Sequence, residues 1–133
     1  MAWEGILQCI PGLSAAADLS SYQYCPVKMS GNATVARATS ATDVVVGVLQ
    51  NKPASGEAAT VAASGVTKAR VGSTVAVGAR VTPNSSSEVI TSTTATDACV
   101  GIVLEALTVA ATPTETELAT ILLTPGAFCA NAS

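Results

Sequence analysis

Apolar and polar residues alternate through Ala33-Thr-Val-Ala-Arg-Ala38, Ala59-Thr-Val-Ala-Ala63 and Leu118-Ala-Thr-Ile-Leu-Leu123. A period of two sends successive side chains to opposite faces, so each stretch predicts a half-buried β-strand. Val44-Val-Val-Gly-Val-Leu49 and Cys99-Val-Gly-Ile-Val-Leu104 are instead short unbroken apolar runs, the pattern of strands covered on both faces. Turn signals separate these stretches: Ser30-Gly-Asn32, Lys52-Pro-Ala-Ser-Gly56, Pro83-Asn-Ser-Ser86 and Thr124-Pro-Gly126. Strands spaced about 8 to 12 residues apart predict a small all-β sandwich or barrel. Gly47 and Gly101, inside the two apolar runs, predict bulges or a close approach of another backbone. A short helical turn near residues 71–79 is compatible with the pattern but not required by it.

The strand pattern occurs twice. Thr39-Ser-Ala-Thr-Asp-Val-Val-Val-Gly-Val48 lines up with Thr93-Thr-Ala-Thr-Asp-Ala-Cys-Val-Gly-Ile102, and the same offset pairs Val27 with Val81 and Val35 with Val89. Further on, Glu57-Ala-Ala-Thr-Val-Ala-Ala-Ser64 lines up with Glu117-Leu-Ala-Thr-Ile-Leu-Leu-Thr124. Leu104 to Thr116 then replaces the shorter Gln50 to Gly56. Asp, Gly and Glu recur in order along with the small apolar residues, so a duplication explains the likeness better than shared Ala/Thr bias. The expected organisation is an N-terminal arm over residues 1–26. A single β domain follows over 27–133, built from two similar halves at about 27–80 and 81–127.

Composition narrows the function classes. The chain has 133 residues, one domain's worth, and only 11% are charged, against about 25% in ordinary proteins. Six basic residues against nine acidic ones argue against a nucleic-acid partner, which needs a basic face. No stretch approaches the roughly 20 apolar residues of a membrane span. Residues 1–11 do not read as a signal peptide: no cation precedes Lys28, and Glu4 comes early. The expectation is therefore a soluble protein made in a cytoplasm. Four cysteines, Cys9, Cys25, Cys99 and Cys129, stand at wide spacings without a Cys-x-x-Cys, and histidine is absent. Free, half-buried thiols are the preferred reading, with disulfides the alternative and a metal site disfavoured. Three glycosylation sequons, at Asn32, Asn84 and Asn131, are ascribed to chance in a chain this rich in Ser and Thr.

Catalytic readings do not survive inspection. Asp43 and Asp97 sit at equivalent places in the two copies, as the paired carboxylates of an aspartic protease would. That chemistry needs each Asp on a tight loop followed by Thr or Ser and then Gly. Here the followers are Val44-Val45 and Ala98-Cys99, so both aspartates read as turn residues accepting bonds from nearby amides. Without histidine the commonest general base is missing, and no Ser-x-x-Lys, Gly-x-Ser-x-Gly or phosphate-binding Gly-rich loop occurs. Lys68, Arg70 and Arg80 are read as a solvated face. No enzyme activity and no cofactor are expected.

Val46-Gly-Val-Leu-Gln-Asn-Lys-Pro-Ala-Ser-Gly-Glu57 and the residues after it, to Ala69, resemble the decoration, or capsid cement, proteins of tailed bacteriophages. Val75-Ala-Val-Gly-Ala-Arg-Val-Thr82, Val100-Gly-Ile-Val-Leu-Glu-Ala106 and Ala17-Asp-Leu-Ser-Ser-Tyr-Gln-Tyr24 carry the same likeness. The chain departs from it at Gly78-Ala-Arg-Val81, where family members often have Gly-Asp before the valine. The resemblance implies a non-enzymatic virion protein on the outer surface of the head, cementing neighbouring major capsid subunits after the shell expands. It further implies a homotrimer and a β-tulip or barrel-like sandwich fold. The rival reading is an exported β-rich pilus, adhesin or surface-layer subunit.

Residues 1–26 differ in composition from the rest. Trp3, Tyr22 and Tyr24 fall there, every aromatic but Phe128, together with Ile6, Leu7, Ile10 and Leu13. Pro11-Gly12 breaks the segment, which predicts an extended arm rather than a helix. An extended arm can add a strand to a neighbouring sheet, and large aromatic residues often dominate interface energy. Trp3, Ile6, Leu7, Ile10, Leu13, Tyr22 and Tyr24 are accordingly the candidate capsid contacts. The alternative is that the segment covers its own core or a sister subunit.

Overall fold

The computed structural model describes residues 7–105 and 118–128, and among these every regular element is a β-strand. In chain order the strands are β1 (Leu7–Ile10), β2 (Ser14–Ala15), β3 (Pro26–Gly31), β4 (Thr34–Arg37) and β5 (Val45–Leu49). They continue with β6 (Val61–Arg70), β7 (Arg80–Pro83), β8 (Val89–Thr91), β9 (Ala98–Glu105) and β10 (Leu118–Phe128). The 71–79 stretch contains no helical turn, only turns and bridges.

The all-β expectation holds, but the barrel-like sandwich does not. Nine strands follow one open path, β2-β4-β3-β5-β6-β10-β9-β7-β8, and β1 joins it through β6. The end strands β2 and β8 do not pair, so the sheet does not close. All pairings are antiparallel except β2 with β4. The physical reason lies in β6, whose ten residues join the strands before it to those after it. Its start pairs with β5 at Ala62 and Val61, and its end pairs with β10 from Val66 to Arg70. Ladder hydrogen bonds thus run continuously from one half into the other. The outer strands are too short to invite further pairing, with two residues in β2 and three in β8.

Pairing registers recur along the chain. Val27↔Arg37, Lys28↔Ala36 and Met29↔Val35 return as Val81↔Thr91, Thr82↔Ile90 and Pro83↔Val89. Likewise Pro26↔Val48 and Val27↔Gly47 return as Arg80↔Ile102 and Val81↔Gly101. Even the left-handed residues correspond: Tyr24 (φ 68) with Gly78 (φ 83), and Ala33 (φ 55) with Ser87 (φ 61). Both members of the first pair are held by an equivalent backbone bond, Tyr24 N–H to Leu49 O at 2.7 Å and Gly78 N–H to Val103 O at 2.8 Å. The correspondence reaches upstream of Val27. Ser14 and Ala15 run parallel to β4, as Val71 does beside Val89 in β8. β1 pairs with β6 on the side opposite β5, as the end of β6 pairs with β10 on the side opposite β9.

Small aliphatics fill the interior. One cluster draws on both halves, with Val45, Val48, Ala62, Ala69, Val71, Val81, Val100, Val103 and Ile121 among its members. A second packs Leu13, Ala15 and Leu19 against Val27, Val35, Leu49 and Val61. Residues 13–19 therefore complete the core of the first half, each fully buried aliphatic side chain contributing about 1.5–3 kcal/mol.

Gly47 and Gly101 explain why short strands pack so tightly. A Cβ on Gly47 would strike the Ala62 carbonyl oxygen and come within 2.7 Å of Val61 Cγ1. A Cβ on Gly101 would strike the Leu122 carbonyl oxygen and Ile121 Cγ2 at the equivalent place. Because the obstacle in each case includes a backbone carbonyl fixed in the ladder, no side-chain rotation relieves it. Gly47→Ala and Gly101→Ala should each lower stability by about 2–3 kcal/mol in urea unfolding. Gly56→Ala, with open space around it but φ of 82, should cost about 1 kcal/mol from backbone strain alone. Equal losses at all three glycines would show that the carbonyl approach is not what constrains the sheet.

Candidate interaction surface

The two repeated aspartates are consumed in holding turns. Asp43 Oδ2 accepts a hydrogen bond from Thr39 N–H at 3.0 Å, and its Oδ1 lies 3.1 Å from Lys28 Nζ. Asp97 Oδ2 accepts from Ser92 Oγ at 2.9 Å and from Thr94 N–H at 3.3 Å. Burial pushes the Asp43 pKa up, but the Thr39 amide and the Lys28 ammonium outweigh it and leave the carboxyl below its ordinary 3.8. No group of three or more potential metal ligands occurs among the described residues.

The cysteines described, Cys9, Cys25 and Cys99, are free thiols, and Cys129 lies outside the described residues. Burial pushes the Cys25 thiol up to about 11, against the pull of Arg70, whose Nη1 stands 3.6 Å from the sulfur. Cys99 is buried between Gly101 O and Thr124 Oγ1, at 3.7 and 3.4 Å. Cys9 is exposed on β1.

The candidate capsid contacts separate into groups. Trp3 and Ile6 lie outside the described residues. Leu7 and Ile10 are half-buried on β1, and Leu13 is 7% exposed inside this chain's own core, where its side chain is already fully engaged. Tyr22 and Tyr24 are half-buried against separate clusters. Each carries a cation over its ring, Arg37 at 4.3 Å from the Tyr22 centroid and Lys68 at 5.8 Å from that of Tyr24. The structure thus sews residues 7–26 into the sheet, and the five described candidates divide between the two core clusters, Leu7 and Tyr24 in one and Ile10, Leu13 and Tyr22 in the other.

Sequence reasoning missed the part played by Arg70. Its Nε stands 3.9 Å from Glu88 Oε2, with both side chains largely buried, and its Nη1 donates to Ser21 O at 2.9 Å. Arg70 N–H also donates to Tyr24 O at 2.9 Å. One residue therefore ties the 20–24 turn to the junction of the two halves. Nothing local in the sequence signals it, because its partners are brought close only by the fold.

Beside Arg70 lies a half-open cleft of about 400 Å³, lined by Ser20, Ser21, Gln23, Tyr24, Lys52 and Leu118. Gln23 Nε2 donates to Gln50 O at 2.9 Å on its wall. Lys52 is exposed at its rim.

The repeated acids and the buried thiols of this all-β body thus serve turns and packing. Residues 14–120 match the family described as Phage cement protein. The chain belongs to that family and is a structural, non-catalytic protein of a phage virion. Among solved structures, it is similar to the head fiber gp8.5 N base of bacteriophage phi29, with a TM-score of 0.62 at 11% identity. That match covers 90% of this chain and 95% of the other, a likeness of fold. No curated protein matches the chain.

The two chemistries above give two measurable outcomes. Because the folded Asp43 carboxyl is more acidic than the unfolded one, its stabilisation is complete above the ordinary value of 3.8 and disappears as pH falls through the folded value. Asp43→Asn should therefore cost about 0.5 kcal/mol at pH 7 and flatten the loss of stability below pH 4, read from denaturant midpoints across pH. An unchanged acid limb would remove Asp43 from the acid response. Thiol labelling of the native protein, mapped by mass spectrometry, should modify Cys9 in seconds to minutes and leave Cys25 and Cys99 untouched until denaturant is added.

Proposed function

We propose that the protein binds the outer surface of a phage head and cements neighbouring major capsid subunits there, acting as a homotrimer made in the host cytoplasm. Membership of the cement family carries this reading. Its physical support is a rigid body of short strands with few charges, able to sit among copies of itself without strong repulsion. The recurring registers support descent from one duplicated unit, the two copies meeting within β6.

The grip is assigned to the N-terminal end. β6 is one strand doing two tasks: its start pairs with β5, and its end pairs with β10. β1 performs only the second of these, lying on β6 as the end of β6 lies on β10. Continuing the repeat upstream, we assign to residues 1–6 the part that the start of β6 plays, entry into another set of strands. The proposal is that they add a strand to a capsid neighbour, with Trp3 and Ile6 as anchors beside Leu7 and Ile10. Leu13 keeps its place in the core.

Removing residues 1–6 should leave melting temperature and trimer mass unchanged while abolishing decoration of expanded heads. Trp3→Ala should weaken decoration by about tenfold or more without unfolding the protein. Full occupancy by the truncated protein would move the grip to the loops of the β body. Light scattering that returned a monomer at every concentration would exclude a preformed trimer.

A further inference from the structure

The charges of this chain are few, and their placement is uneven. Three of its six cations, Lys52, Lys68 and Arg70, stand around Tyr24 at the seam between the two halves. The chain as a whole carries a net charge of −3, whereas here three cations stand against two acids, Glu88 beside Arg70 and Asp18 bonded to Ser20, so the corner is cationic on balance. Arg70 is fixed there by Ser21 O at 2.9 Å and by the largely buried Glu88. Its Nε is buried without a hydrogen-bond partner, the carboxylate at 3.9 Å being too distant to accept a good bond. Lys52, at the opposite rim, is exposed and has no ion pair among the described residues. Between them the wall offers the hydroxyls of Ser20 and Ser21 and the ring of Tyr24.

We propose that this cleft is a docking socket for an acidic surface segment of the capsid subunit, with a carboxylate seated between Lys52 and Arg70. The assignment rests on the cement reading and adds to it a second contact on the β body, separate from residues 1–6. Charge complementarity selects the occupant. An acidic surface is repelled by a chain of net charge −3 except at this cationic corner, which would set the orientation of docking as well as its strength. At about 400 Å³ the cleft exceeds what a single carboxylate fills and suits a short extended segment with one acidic side chain at its centre. The Ser21 hydroxyl supplies a donor to the second carboxylate oxygen, the Ser20 side chain being held by Asp18, and the Tyr24 ring packs against the segment's aliphatic stem.

Lys52 tests this cleanly, because it is exposed and its removal disturbs no internal bond among the described residues. Decoration of expanded heads would be measured over a range of NaCl for the wild-type chain, Lys52→Gln, Lys52→Arg and Ser86→Asp. Ser86→Asp changes net charge as much as Lys52→Gln does, but at a different exposed turn. Lys52→Gln should bind about five- to tenfold more weakly at low salt and lose affinity less steeply as salt rises. Lys52→Arg should stay within about twofold of wild type, and Ser86→Asp should keep the wild-type salt dependence. If Lys52→Gln decorates heads like wild type at every salt, the socket is wrong while the cement reading stands. If Lys52→Gln instead changes self-association in light scattering and leaves head binding intact, the cleft receives a second copy of this chain and the proposal falls. Heads left bare by the wild-type protein would overturn both readings together.

Discussion

Everything in this structure hangs on the continuity of β6. A strand of ten residues is long enough to pair at its start with β5 and at its end with β10. It joins two sets of strands without a linker, since the ladder itself is the joint. A linker would leave the halves free to rotate, whereas shared backbone hydrogen bonds fix their relation at the cost of ordering no additional residues. Both core clusters depend on this arrangement, and the larger draws its aliphatics from both halves.

Tight approach follows from the same constraint. Val48 and Ile102 pair across to Ala62 and Leu122, and the neighbouring glycines Gly47 and Gly101 let those strands come close enough for the carbonyls to fill the space of a side chain. The price is a sheet of small residues with little aromatic area, since Trp, Tyr and Phe make up only 3% of the chain. Ala and Val lose little side-chain entropy on burial, which suits a body held together by many short strands. β10 is interrupted between Leu123 and Ala127, where Pro125 and Gly126 stand and proline cannot donate to the ladder.

Electrostatics is spent sparingly and mostly inward. Lys28 meets Asp43, and Arg70 meets Glu88. These contacts fix turns and the seam between halves, and they leave most of the surface close to neutral. The exposed large apolar residues Met29, Val44, Val77, Leu104 and Leu122 are set on five different stretches of chain or their turns, an ordinary scatter for a folded surface.

The sequence by itself determined the strand class, most strand positions and the turns, because period-two patterning and Gly/Pro punctuation are local properties. It also placed Asp43 and Asp97 in turns, where their side chains bond amides within four residues. Only the tertiary structure decided that the path stays open rather than closing into a barrel-like sandwich, because patterning reports which face of a strand is buried and says nothing about which edges meet. It alone decided that Leu13 and Leu19 belong to the core and that β1 lies on β6, since the apolar character of residues 7–19 suits an external arm and an internal strand equally well. Arg70 and the cationic cleft were illegible for the same reason: the 20–24 turn, Lys52, Arg70 and Glu88 are far apart in sequence, and only long-range strand pairing brings their charges and dipoles into one place.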